Sequence, residues 1–308
     1  MVSSLMFCFL LKWFRTIIMP IYTQILLGFS VNKFYKISII DHYMQLIIFA
    51  SSAVWNGVHF NLNSVIPWYV ILIYGLIYVG VLAWIWRSGK FSSFKTIDFV
   101  YIALIAALLI VYNFFISPII PKVGAITTWF YYPMIGEIFL LLTVAALVGK
   151  PGTMAITMFV YTLLSDIFHY GFGGEPFYFI YEILAYGAIL DMWLAYRGEL
   201  FLSPYIKSRP GSTSAGASLE ERIKAQASKA TTVGYVLMVL DALIGAIPMA
   251  VAYSLFYRGF FATFVSGFVY KPSLVYATTI ASVGGGIVMG LISLPFVAYI
   301  KRVVKGAI

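Results

Sequence analysis

Residues 97–117 read IDFVYIALIAALLIVYNFFIS. One charge, Asp98, stands at the start, and no other interrupts the run. A stretch of about 20 apolar residues, rising 1.5 Å each as a helix, spans the hydrocarbon core of a bilayer. Lipid offers no partner to an open backbone, so such a run is a helix. Six more stretches have the same character: 67–86, 127–148, 152–170, 176–196, 232–257 and 274–299. Across its 308 residues the chain is 62% hydrophobic and 10% charged, with mean hydropathy +0.95. Soluble domains hold roughly 45–50% apolar and about 25% charged residues. The expected fold is therefore an all-α, polytopic membrane helix bundle.

Charge orients it. If 97–117 starts in the cytoplasm, the inside segments carry Arg87, Lys90, Lys95, Lys150, Arg197, Lys207, Arg209, Arg222, Lys224, Lys229, Lys301, Arg302 and Lys305. The outside segments carry only Lys122, Arg258 and Lys271. Thirteen against three follows the positive-inside rule and places the C-terminus in the cytoplasm of a multi-pass cell-membrane protein. The net charge of +9 thus reports orientation, and a nucleic-acid partner is not implied. One cysteine, Cys8, leaves no disulfide framework or cysteine metal cluster within the chain.

Three regions are expected. Residues 1–66 form an N-terminal extension with one or two further spans, about 5–29 and 43–60, each broken by polar groups. Its composition differs from the Ala/Gly/Leu-rich remainder, as in an over-extended gene start or a dispensable extension, and no cleavable signal peptide is recognisable. Residues 67–96 hold an extra helix and a basic loop. Residues 97–308 form a six-helix unit divided four plus two by the loop 197–231, in which SRPGSTSAGAS (208–218) reads as a flexible linker. After it, Ser218 and Glu221 have capping-box spacing for a short cytoplasmic helix, read as a solvated connector.

Several chemistries are excluded. VGKPG (148–152) lacks the phosphate-loop pattern, so Lys150 reads as a cytoplasmic anchor and Pro151 as the first residue of the next helix. Only His169 among the three histidines lies in a strong span, which does not suit bis-histidine haem, and no hydrolase motif occurs. No catalytic residue, metal or cofactor is expected.

Four acids stand away from the basic loops: Glu137, Asp166, Glu175 and Glu182. Helix direction puts all four toward the outer half of the membrane, with Glu137 roughly 15 Å below the outer surface. Asp166, His169 and Tyr170 share one α-helical face, as do Tyr178, Glu182 and Tyr186, while Trp129, Pro133 and Glu137 form a third stripe. Together they predict an aromatic-walled, acid-floored cavity open to the outside. No Lys or Arg lies within the strong spans, so these acids hold protons, see water or await a cation. The plainer alternative is that each is hydrogen-bonded between helices. Glu175, in the turn, needs no special explanation. Tyr131, Tyr132, Phe172, Phe177 and Tyr178 are ordinary for an interfacial belt. Asp241 is assigned a structural or coupling role, and Asp191 and Glu199 are taken as solvated near the cytoplasmic surface.

Ala103 and Ala107, four apart on the first helix of the six-helix unit, allow close approach of another helix. This segment resembles the first helix of the substrate-binding S-components of energy-coupling factor transporters, vitamin-type ABC systems. PMIGEIFLLLTVAALVGKPGTMAI (133–156) and YEILAYGAILD (181–191) are similar to the thiamine and hydroxymethylpyrimidine branch, where a Lys-Pro-Gly turn joins the second and third helices. The resemblance covers roughly 97–305; the helix 67–86, the N-terminus and the long loop depart from it. It implies a non-enzymatic substrate-capture subunit with a small-molecule substrate, partnered by a transmembrane coupling subunit and ATPase subunits. Ala103 and Ala107 would then face that partner. Trp129, Glu137, Asp166, His169, Tyr178, Glu182 and Tyr186 would hold a cationic or hydrogen-bonding heterocycle. The other classes weighed are a proton- or ion-coupled carrier and a structural subunit of a membrane redox complex.

Overall fold

The computed structural model describes residues 61–87, 94–121, 134–170, 177–204 and 232–305, with the side chains of 169 and 170 excepted. The N-terminal segments, the 208–218 linker, the Ser218-capped helix, Trp129, Pro133 and Glu175 lie outside them. The described chain is helical throughout, with no strand.

Each of the seven apolar runs contains a helix. In order these are α1 Trp68–Arg87, α2 Thr96–Ile119, α3 Ile135–Val148, α4 Thr153–Phe168, α5 Phe177–Leu200, α6 Thr232–Ser266 and α7 Pro272–Lys305. Five are long and apolar enough to cross a membrane; α3 and α4 are shorter apolar helices. The outer part of the expected run 127–148 falls outside the described residues.

The helix α3 is the centre of the bundle. Every residue from 141 to 148 is buried, and α3 packs against α2, α4, α6 and α7. A helix apolar on all sides is stable in that position because it has no face to give to water. The helix α1 shows the opposite pattern. It buries only Ile71, Tyr78 and Ile85, seven residues apart, as one stripe turned to the bundle. Trp68, Leu76, Val79 and Trp84 on its other sides are exposed, as suits contact with lipid.

The tightest pairing is α6 on α7. In a bilayer, helices gain little from burying apolar surface, so close packing of small residues does more. Gly286 faces the backbone of Ile247, and Gly290 faces Ala242 and Ala246. A Cβ on Gly290 would sit 2.8 Å from the Ala246 Cβ and 3.0 Å from the Ala242 carbonyl oxygen. Gly290→Leu is expected to push the helices apart and cost about 1–3 kcal/mol. The loss is measured as a lower thermal midpoint of the detergent-purified protein.

Alternating helix direction gathers the described cations Arg87, Lys95, Lys150, Arg197, Lys301, Arg302 and Lys305 at one end of the bundle. Three of the positions read as loop charges, Lys150, Arg197 and Lys301, are buried. Lys150 is an ion-pair partner as well as an end marker. Its Nζ donates to Asp98 Oδ2 at 2.6 Å, and that same oxygen accepts the Lys95 backbone N–H at 2.7 Å. Pro151 lies in the turn, and α4 begins at Thr153.

Asp191 corrects the expectation of a solvated group. It is fully buried, accepts the backbone N–H groups of Met154 and Ala155 at 2.9 and 3.0 Å, and accepts the Tyr78 hydroxyl at 2.8 Å. The first turn of a helix has N–H groups with no intrahelical acceptor. Gly152 supplies no side-chain cap, so Asp191 caps α4 from α5 and ties α1 to both. Glu199 is exposed as expected, although its carbonyl accepts Lys301 Nζ at 2.6 Å.

Asp241 takes the structural role assigned to it. Its carboxylate accepts Arg197 Nε at 2.8 Å, Arg197 Nη2 at 2.9 Å, Trp193 Nε1 at 2.7 Å and the Leu202 backbone N–H at 2.7 Å. Arg197 also donates to the carbonyls of Leu200 and Ser203. One buried pair therefore fastens α6 to the end of α5 and shapes the turn in which Leu202 takes a positive φ of 54°.

Candidate functional site

The opposite end of the bundle is built differently. Four of its helices leave the α-helical repeat and widen into π turns: Tyr112–Ile116 in α2, Asp166–Tyr170 in α4, Ile183–Gly187 in α5 and Ala252–Phe261 in α6. Such turns are rare and are found disproportionately at functional sites. Pro248, which can neither donate its missing N–H nor fit an unbroken helix, stands four residues before the longest of them.

Glu137, in the first turn of α3, is 8% exposed. The Asn113 side chain in the α2 π turn hydrogen-bonds to it and donates from Nδ2 to the Tyr161 hydroxyl of α4 at 2.9 Å. Glu182 in α5, half-buried, lies close enough to Glu137 for the two acids to interact. Its Oε2 is buried and has no hydrogen-bond partner. The ion pairs among the described residues are Lys150–Asp98 and Arg197–Asp241, so no described Lys or Arg neutralises Glu137 or Glu182.

Tyrosines wall this pair. Tyr181 and Tyr186 are buried, with ring centroids 5.9 Å and hydroxyls 3.5 Å apart. Tyr181 also packs 5.8 Å from Tyr257, 5.1 Å from Phe261 and 6.2 Å from Tyr178. The Tyr178 and Tyr257 hydroxyls are 3.5 Å apart. Among the described residues these rings pack against one another beside the two acids.

Of the residues expected to form the site, the fold brings together Glu137, Tyr178, Glu182 and Tyr186. Asp166 is buried in the last turns of α4. His169 lies in the same π turn as Asp166, its side chain undescribed, and Trp129 is outside the described residues. Ala103 and Ala107 lie on the exposed side of α2 beside Leu104 and Leu108.

Sequence spacing missed Asn113, Tyr161, Tyr181 and Tyr257. Tyr181 and Tyr186 are five apart, a separation that faces apart on an α-helix and is aligned by the π turn between them. Asn113 did carry a signal, as the lone amide in the apolar run 99–116.

Neither protein-family models, nor curated proteins, nor solved structures give a match to this chain. What the helices define is a multi-pass membrane protein.

Proposed function

We propose that the protein is a non-catalytic membrane capture protein that binds a small organic cation between α3, α5 and α6. One observation carries this reading: Glu137 is buried and Glu182 half-buried, no described Lys or Arg pairs with either, and Glu182 Oε2 is buried with no donor among the described residues. Acids inside a membrane are costly and mark a ligand or ion path. A cation brought to them supplies the countercharge that no described Lys or Arg provides, and tyrosine faces add cation–π attraction. Adjacent rings suit a flat heterocycle better than a bare metal ion, which would require more oxygen ligands than two carboxylates supply.

The resemblance of 97–305 to S-components supports the finer reading. The ligand is then a thiamine-like vitamin or precursor taken up from outside, and the Ala103–Ala107 side of α2 meets an ATPase-driven coupling partner. The charge count supports the same orientation, with the acid pair toward the outer side.

The test is calorimetric titration of the detergent-purified protein with thiamine, its hydroxymethylpyrimidine moiety and other cationic heterocycles. Saturable binding of at least one, with α1–α7 folded, is expected. Absence of binding across the panel sinks the reading.

A further inference from the structure

The 10-residue π segment Ala252–Phe261 carries a second unsatisfied group, and it is positive. Arg258 is partly buried, and its Nε–H is buried without an acceptor. Its guanidinium carbon lies 4.8 Å from the Tyr253 ring centroid and 5.8 Å from that of Tyr270. Tyr253 and Arg258 are five apart, so the π geometry that aligns Tyr181 with Tyr186 also sets this arginine over its ring.

The buried Arg197 shows what a structural arginine looks like in this protein. Arg197 spends its Nε and Nη2 on the Asp241 carboxylate and two backbone carbonyls. Among the described residues Arg258 has rings against it and no such acceptors. Rings attract the flat face of a guanidinium and leave its edge, where the N–H groups project in one plane. That edge matches the paired oxygens of a carboxylate or phosphate.

The position is connected to the acid pair. Tyr253 stacks on Tyr257 at 5.2 Å and 11°, and Tyr257 packs on Tyr181, whose neighbours are Glu182 and Tyr186. Two rings thus separate the guanidinium from the tyrosine wall beside Glu137 and Glu182.

We infer that Arg258 is an oxyanion site, taking a phosphate or carboxylate through the edge of its guanidinium. The oxyanion comes from one of two sources. It is the negative end of the captured ligand, making that ligand a zwitterion; this version rests on the cation reading above. Otherwise it is a phospholipid headgroup at the membrane surface.

The test follows the arginine side-chain Nε–H signals of ¹⁵N-arginine-labelled protein by NMR in phosphate-free maltoside micelles. Arg258→Gln assigns the signal. Sodium phosphate, choline, phosphocholine and phosphatidylglycerol are then added separately. The expected result is a saturable shift of the Arg258 signal, with that of Arg197 unmoved. A shift with phosphocholine and not with choline assigns the oxyanion to the ligand, and Arg258→Gln then weakens phosphocholine about 10-fold or more while leaving choline unchanged. A shift with phosphatidylglycerol alone assigns it to lipid. A shift with inorganic phosphate alone supports a free-oxyanion site. An Arg258 signal that stays fixed through all four additions overturns the inference. Choline that fails to bind while phosphate or lipid moves Arg258 counts against choline as a ligand and leaves the arginine site standing.

Discussion

Asp241→Asn is expected to destabilise the protein by about 3–5 kcal/mol, the cost of leaving one member of a buried ion pair without its partner. The substitution keeps the shape and removes the charge. Arg197, 6% exposed, would then face an amide that offers one oxygen where the carboxylate offered two. Trp193 and the Leu202 N–H compete for that oxygen. The consequence reaches past the pair, because Arg197 and Lys301 also hold the carbonyls of Glu199, Leu200, Phe201 and Ser203. The thermal midpoint in detergent should fall by on the order of 10 °C. The double change Arg197→Met with Asp241→Leu should recover most of the loss, since an apolar pair of similar volume has no charge to desolvate. A single Asp241→Asn as stable as wild type would show that the ion pair does not fasten α5 to α6.

At the other end the expected effect is on binding. Glu182→Gln should weaken an organic cation by about 100-fold, the scale for removing one partner of a buried charge pair. Glu137→Gln should cost less, about 10-fold, because Asn113 already engages that carboxylate while Glu182 Oε2 has no donor. Stability should move the other way. In the empty site Glu182 Oε2 is buried without a donor among the described residues, so an amide, which has no charge to desolvate, relieves a cost that function requires. A thermal midpoint that is unchanged or higher, measured with the lost affinity, separates a binding defect from misfolding. Equal losses of affinity and stability would make Glu182 a structural residue.

These two predictions also mark where the sequence was legible. Apolar runs located the seven helices of the described residues, five of them long enough to cross a membrane, because in lipid the backbone has few alternatives. Charge asymmetry marked the two ends. Asp241 could be given a structural role from its depth alone. Asp191 could not. An aspartate near a basic helix end reads as solvated, and only the fold shows that the uncapped first turn of α4 lies against it. Lys150 was read as an end marker for the same reason, since its partner Asp98 lies 52 residues away.

The site was half legible. Uncompensated acids pointed to Glu137 and Glu182, with Tyr178 and Tyr186 beside them, but a period of 3.6 residues per turn leaves out Tyr181 and Tyr257. Four π turns at the acid end change that period. They bring Tyr181 to Tyr186 and Arg258 to Tyr253, pairs that an α-helical projection separates.

The central claim is that positive charge on the ligand is what the buried carboxylates recognise. Calorimetric titration of the purified protein with a panel of organic cations, each beside its uncharged isostere, tests it most directly. The prediction is that at least one cation binds saturably, that its isostere binds about 100-fold more weakly, and that Glu182→Gln removes the difference. An isostere that binds as tightly as its cation, or a panel in which no cation binds, would contradict it.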